Sequence, residues 1–218
     1  FLEFYRILDE YIGKLNEMLS EDVTMMIASD HGFTELICEF HANEWLQRVG
    51  WVKYRENRKN NLEDVSLGSK AYSLIPGRFY INLEDREPNG EIKLEDYESV
   101  REELKEMLLE IEGPEGGKVM KSVERGEDIF RGDHVGIAPD LVALPNDGFD
   151  LKAGFGEKEG VFGKGPRNGM HTFENALLIV DKPGMSIEGS NLYNITPTIL
   201  GLMEIRHDPA VFDGESLI

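Results

Sequence analysis

Asp30 and His31 close the run Val23-Thr24-Met25-Met26-Ile27-Ala28-Ser29, and Gly32 follows at once. A carboxylate and an imidazole in succession suit zinc or another divalent first-row ion. At the end of a short buried strand the pair would be held rigidly at a sheet edge, where open α/β sheets bind their ligands. Adjacent residues on an extended chain point to opposite sides, so both reach one ion only if the chain already bends at Asp30. Gly32 would then let the backbone turn away and leave room for the ion. The same tripeptide is also what a turn with a capping carboxylate looks like. Far downstream, His171 in Gly169-Met170-His171-Thr172 precedes another apolar run, Ala176 to Val180. Two histidines, each beside an apolar run, make a split metal site.

The remaining histidines read differently. His41 has only Glu39 as a neighbouring carboxylate and is expected to be structural or superficial. Asp133-His134 repeats the dipeptide, but without an apolar strand before it and in a glycine-containing loop, so it is expected not to touch a metal. His207, beside Asp208-Pro209, reads as a surface residue of a tail loop.

The elements that must position these groups follow from periodicity. Phe1, Phe4, Tyr5, Leu8, Ile12, Leu15, Met18 and Leu19 recur at helical spacing over 1–20, which predicts an amphipathic helix packing on a sheet and feeding the Val23 strand. Asn43 is placed to cap a short helix that Gly50 ends in left-handed conformation. Trp51 to Arg55 reads as a strand and 55–70 as a loop. Ala71–Ile75, Pro76-Gly77 and Arg78–Leu83 give a hairpin with a type II turn. Leu94, Tyr97, Val100, Leu104, Met107, Leu108 and Ile111 line one face of a long helix, its acidic face solvated, stopped by Gly113-Pro114. Strands are expected at Val119–Val123, at Pro139–Leu144 and, buried on both faces, at Ala176–Val180. Residues 147–168 show neither period and read as a long functional loop. Thr196 as cap and Pro197 in the first turn start a final helix.

Composition narrows the classes. The net charge of −19 over 218 residues argues against a protein that coats nucleic acid or binds an acidic membrane surface through basic residues. No stretch approaches the ~20 apolar residues of a membrane span. The single Cys38 excludes an intrachain disulfide framework and fits a reducing compartment, so a cytoplasmic location is expected. High Glu and Lys content hints at a thermophilic source. The chain begins at Phe1 inside a helical pattern, so the beginning of the native protein is expected to lie upstream.

The segments "IASDHGF", "GMHTFENALLIV", "NITPTILGLME" and "FDGESL", together with "NEWLQRVGWV", "KAYSLIPGRFYINLEDREPNGEI" and "APDLVALPND", resemble successive signatures of the alkaline phosphatase superfamily. The branch they resemble is the type I phosphodiesterase/nucleotide pyrophosphatase family in its archaeal and bacterial form. The resemblance implies an α/β fold: part of an alkaline-phosphatase-like three-layer sandwich with a lateral α+β insertion. Residues 1–35 and 165–218 would belong to the metal-binding core, and 36–164 to the inserted portion.

It further implies two divalent ions, zinc foremost, with manganese or magnesium as alternatives. Asp30 and His31 would hold the nucleophile-side ion, and His171 the other. Lys164 and Arg167, in the loop leading to His171, could approach a phosphate or be ordinary loop charges. The implied reaction is phosphoryl transfer from a small phosphodiester or nucleotide pyrophosphate. A phosphomonoesterase, sulfatase or phosphate mutase of the superfamily, or a non-catalytic domain that kept the fold, are the alternatives.

Two departures stand out. Family members carry, upstream of the Asp-His-Gly strand, a threonine or serine nucleophile with a metal-binding aspartate, and then an Asp-x-x-x-His motif. Neither is in this chain, so the fragment alone is expected to bind metal weakly and to lack turnover. Asn194 stands where the family usually has an aspartate, at the cost of one charge.

Overall fold

The structure, a computed structural model, describes residues 1–56, 60–156 and 158–218. Parts of the two loops read at 55–70 and 147–168 therefore lie outside the described residues. The chain is a mixed α/β protein divided into two compact units, Phe1–Phe33 with His171–Ile218, and Thr34–Met170.

The first unit opens with helix α1, Leu2–Glu17, as the apolar spacing predicts. It was expected to pack on a sheet, yet none of its residues is buried, and Phe4, Tyr5, Leu8, Tyr11 and Leu15 remain exposed. Strand β1 is only Met26–Ala28, shorter than the apolar run that suggested it. Gly32–Glu35 forms β2, on which the chain leaves this unit.

In the second unit Cys38–His41 is β3 and Ala42–Arg48 is helix α2. Asn43 lies inside the first turn of α2 and is not its cap. Its buried amide donates to the Ser73 and Ala153 carbonyls and accepts from Ser73 N–H, a tertiary use that sequence spacing does not reveal. Gly50 takes the left-handed conformation (φ 79°) just beyond the helix, as read. The strand expected at Trp51–Arg55 reduces to one bridge, Tyr54 to Val65, because Trp51 and Val52 turn inward as core residues.

The hairpin is as predicted: β4 (Ala71–Ile75) and β5 (Arg78–Ile81) are antiparallel around Pro76-Gly77, with Gly77 at φ 71°. Helix α3 (Tyr97–Leu109) buries Arg101, Leu104 and Leu108 along one face. Strand β6 (Met120–Arg125), the one-turn helix α4 (Gly126–Ile129) and strand β7 (Leu141–Pro145) follow. The long loop reading of 147–168 is corrected: Phe149–Lys152 is strand β8 and Phe162–Gly163 is strand β9. Four residues alternating Phe149-in, Asp150-out, Leu151-in, Lys152-out carry the β period, but the run is too short to stand out from its glycine-rich surroundings.

Two sheets make this unit, with orders β4-β5-β7-β6 and β8-β3-β9. β3 runs parallel to β8 and antiparallel to β9. Phe40, Leu46, Phe79, Ile81, Leu104, Leu108 and Leu141 are fully buried in one continuous core.

The chain returns on β10, Gly169–Thr172, and completes the first unit with β11 (Leu178–Val180) and helix α5 (Ile195–Leu202). β1 and β11 pair antiparallel as an isolated two-stranded sheet. Ala176–Val180 was expected to be buried on both faces, but β11 is half-exposed, since no described element of this unit covers it. The last helix starts at Asn194, two residues before the expected cap Thr196, with Pro197 in its first turn. Asn194 binds the tail through the Glu215 carbonyl, and Thr198 accepts from Leu217 N–H. Pro197 aside, no apolar side chain of this unit is buried among the described residues.

Candidate metal-binding site

Backbone hydrogen bonds hold the sheet end from which Asp30 and His31 project. Ser29 N–H donates to the Leu177 carbonyl (2.9 Å), and Ser29 Oγ accepts from Leu177 N–H (2.7 Å), locking β1 to the segment entering β11. The chain then bends at Asp30 and His31, as two neighbours facing one place require. Gly32 is not the turning residue expected. It is buried and already extended, and a Cβ there would collide with the Glu174 carbonyl oxygen and Thr172 Oγ1. Its hydrogen side chain serves close approach of two strands, beside a Thr172 hydroxyl that donates to the Glu174 carbonyl.

That approach sets His31 and His171 against each other. Their ring centroids are 3.8 Å apart and the planes are inclined by 19°, a stacked pair. His31 Nδ1 lies 2.9 Å from the Gly32 carbonyl, and its Nε2 lies 3.3 Å from Asp30 Oδ1. With Nδ1 donating to the carbonyl, Nε2 keeps its lone pair, which is how metal-binding imidazoles are usually oriented by their second nitrogen. Phe33, mostly exposed, stands beside His171 with ring centroids 6.3 Å apart. It went unnoticed in the sequence, where only its place directly after Asp-His-Gly could have marked it.

His41, Lys164 and Arg167 belong to the Thr34–Met170 unit and His207 to the first. His41 is fixed by the Gly160 carbonyl at 2.7 Å and has Glu39 at 3.6 Å, the structural histidine it was read to be. His207 packs edge-on against Phe212. Arg167 donates to Glu39 and Asp150, both at 3.2 Å, and Lys152 joins the same two carboxylates. Burial alone would raise the Glu39 carboxyl, but the hydrogen bond from Arg167 and the charge of Lys152 outweigh it and hold the group below its ordinary range. Lys164 is exposed. Among the described residues no group of three or more His, Cys, Asp or Glu side chains is gathered closely enough to hold an ion.

The donors present nevertheless suit metal ions. Two ligands on one tetrahedral ion with bonds of about 2.0 Å stand about 3.3 Å apart, and Asp30 Oδ1 and His31 Nε2 are separated by 3.3 Å. The two rings stack with their planes inclined by only 19°, so their in-plane lone pairs do not converge on one point.

The type I phosphodiesterase/nucleotide pyrophosphatase family model matches residues 1–174. The chain belongs to this family. The match spans Asp30, His31 and His171, while the segments around Asn194 and Asp213 lie beyond it. Among curated proteins and among solved structures, none matches this type I phosphodiesterase/nucleotide pyrophosphatase family member. Among its described residues no helix is long and apolar enough to cross a membrane.

Proposed function

We propose that this chain is the C-terminal part of a metal-dependent phosphohydrolase that cleaves phosphodiester or nucleotide pyrophosphate bonds. Its unit Phe1–Phe33 with His171–Ile218 would be a portion of an alkaline-phosphatase-like sandwich, with Thr34–Met170 as the lateral insertion. The single observation that carries the proposal is the stacking of His31 on His171 beside Asp30, in a chain that belongs to a phosphodiesterase family.

Asp30 and His31 would hold one divalent ion and His171 a second, zinc being the first choice for this donor set. When bound, such a pair neutralises charge on the phosphoryl oxygens and makes a hydroxyl nucleophilic at neutral pH. The chain's own residues do the positioning. The Gly32 carbonyl fixes the His31 tautomer, and the missing Cβ at Gly32 lets the strand bearing His171 come close. A threonine or serine nucleophile and the remaining ligands would come from residues outside this chain. The near absence of buried apolar side chains in the unit that bears the site supports this, since such a unit needs further elements to complete its core.

Because a zinc site normally takes at least three protein ligands, calorimetric titration of this chain with zinc is expected to give a dissociation constant weaker than about 1 μM. Sub-micromolar binding that is lost in His31→Ala would refute this weak binding. The full-length protein, loaded with zinc or manganese, is expected to release nitrophenol from a nitrophenyl phosphodiester; no release under either metal refutes the diesterase assignment.

A further inference from the structure

The Thr34–Met170 unit contains a cavity of about 290 Å³ that nothing in the proposed phosphoester chemistry uses. Its body is apolar, walled by Leu62, Val65 and the buried ring of Tyr72. Its polar lining includes fixed acceptors. Asn82, only 2% exposed, gives its two amide hydrogens to the Ser69 and Asn89 carbonyls (2.9 and 2.6 Å), which leaves Oδ1 without a donor among the described residues. The Glu87 carboxylate, held by Arg86 Nε at 2.7 Å, also lines the cavity. Arg55 and Glu63 also line the cavity, and neither forms an ion pair among the described residues.

A small space with an apolar body and a few convergent polar groups is the usual form of a ligand site. The Asn82 amide oxygen and the Glu87 carboxylate on its lining favour a ligand that brings donors. We infer that this cavity binds a small aromatic molecule with an N–H donor head directed at Asn82 and Glu87 and an acidic tail directed at Arg55. The head donates to the Asn82 amide oxygen and the Glu87 carboxylate, the ring fills the apolar body, and the tail answers the Arg55 guanidinium, which has no ion pair among the described residues.

The probe is 4-amidinobenzoate, which carries both ends, compared by calorimetry and saturation-transfer NMR with benzamidine (head only) and benzoate (tail only). A probe of this size is expected to bind with a dissociation constant of about 0.1–1 mM, with benzamidine and benzoate each several-fold weaker. Arg55→Ala should reduce 4-amidinobenzoate to the affinity of benzamidine and leave benzamidine unchanged. Glu87→Gln should weaken both head-bearing probes about ten-fold, and Leu62→Trp should remove binding by filling the body. The inference is overturned if 4-amidinobenzoate shows no saturable binding at 10-fold above that range. It is equally overturned if Leu62→Trp, or Glu87→Gln should the former not fold, binds the probe as the unmodified chain does.

Discussion

Single atoms decide the geometry around His31 and His171. The Cβ of Gly32→Ala would be driven into the Glu174 carbonyl oxygen and Thr172 Oγ1, and a backbone oxygen cannot swing aside. We expect the substitution to part the strands, costing about 1–3 kcal/mol, and to abolish the nuclear Overhauser contacts between the two imidazoles. Retention of those contacts would show that the stack does not depend on the missing side chain. A second residue-scale expectation concerns acid. Glu39 titrates below its ordinary value in the folded chain, so its contribution to stability is complete above the unfolded value near 4.5 and is lost as the pH falls through the lower folded one. Arg167→Ala removes the hydrogen bond that holds it there. The acid limb of the stability curve, followed by circular dichroism, should therefore begin at a higher pH, while stability at pH 7 changes little because Arg167 is largely exposed.

Elements were legible where their period ran long and invisible where it ran short. Helices α1 and α3 and the β4–β5 hairpin stood out because sixteen, thirteen and eleven residues of pattern or turn chemistry spoke together. Strands β3, β8 and β9 did not, since two to four residues in parallel or mixed pairing leave no run to count. The candidate site was legible in its residue types, Asp30, His31 and His171, but not in its mode of contact. Ring stacking and the closeness permitted by Gly32 are consequences of strand pairing that no local spacing encodes. Asn43 teaches the same lesson: an amide suited to capping α2 instead ties that helix to β4 and to the chain after β8. Asn43→Ala strands a buried N–H and two carbonyls together, and chemical denaturation should report a loss of about 2–3 kcal/mol; a loss typical of a surface cap, well under 1 kcal/mol, would contradict the buried role.

At the scale of the whole molecule the two units differ in kind. Residues 34–170 own the continuous apolar interior, and we expect a 34–170 polypeptide to melt cooperatively on its own. Non-cooperative melting of that piece would mean that its stability is borrowed. The other unit has a sixteen-residue helix with no buried residue, a length at which an isolated helix is marginal in water. Left uncovered, such surface is adhesive, and the charge of −19 carried by every copy of the chain opposes contact between copies. Near pH 4.6 that mutual repulsion vanishes while the greasy helix remains, so solutions of the chain should turn cloudy there before any unfolding is seen.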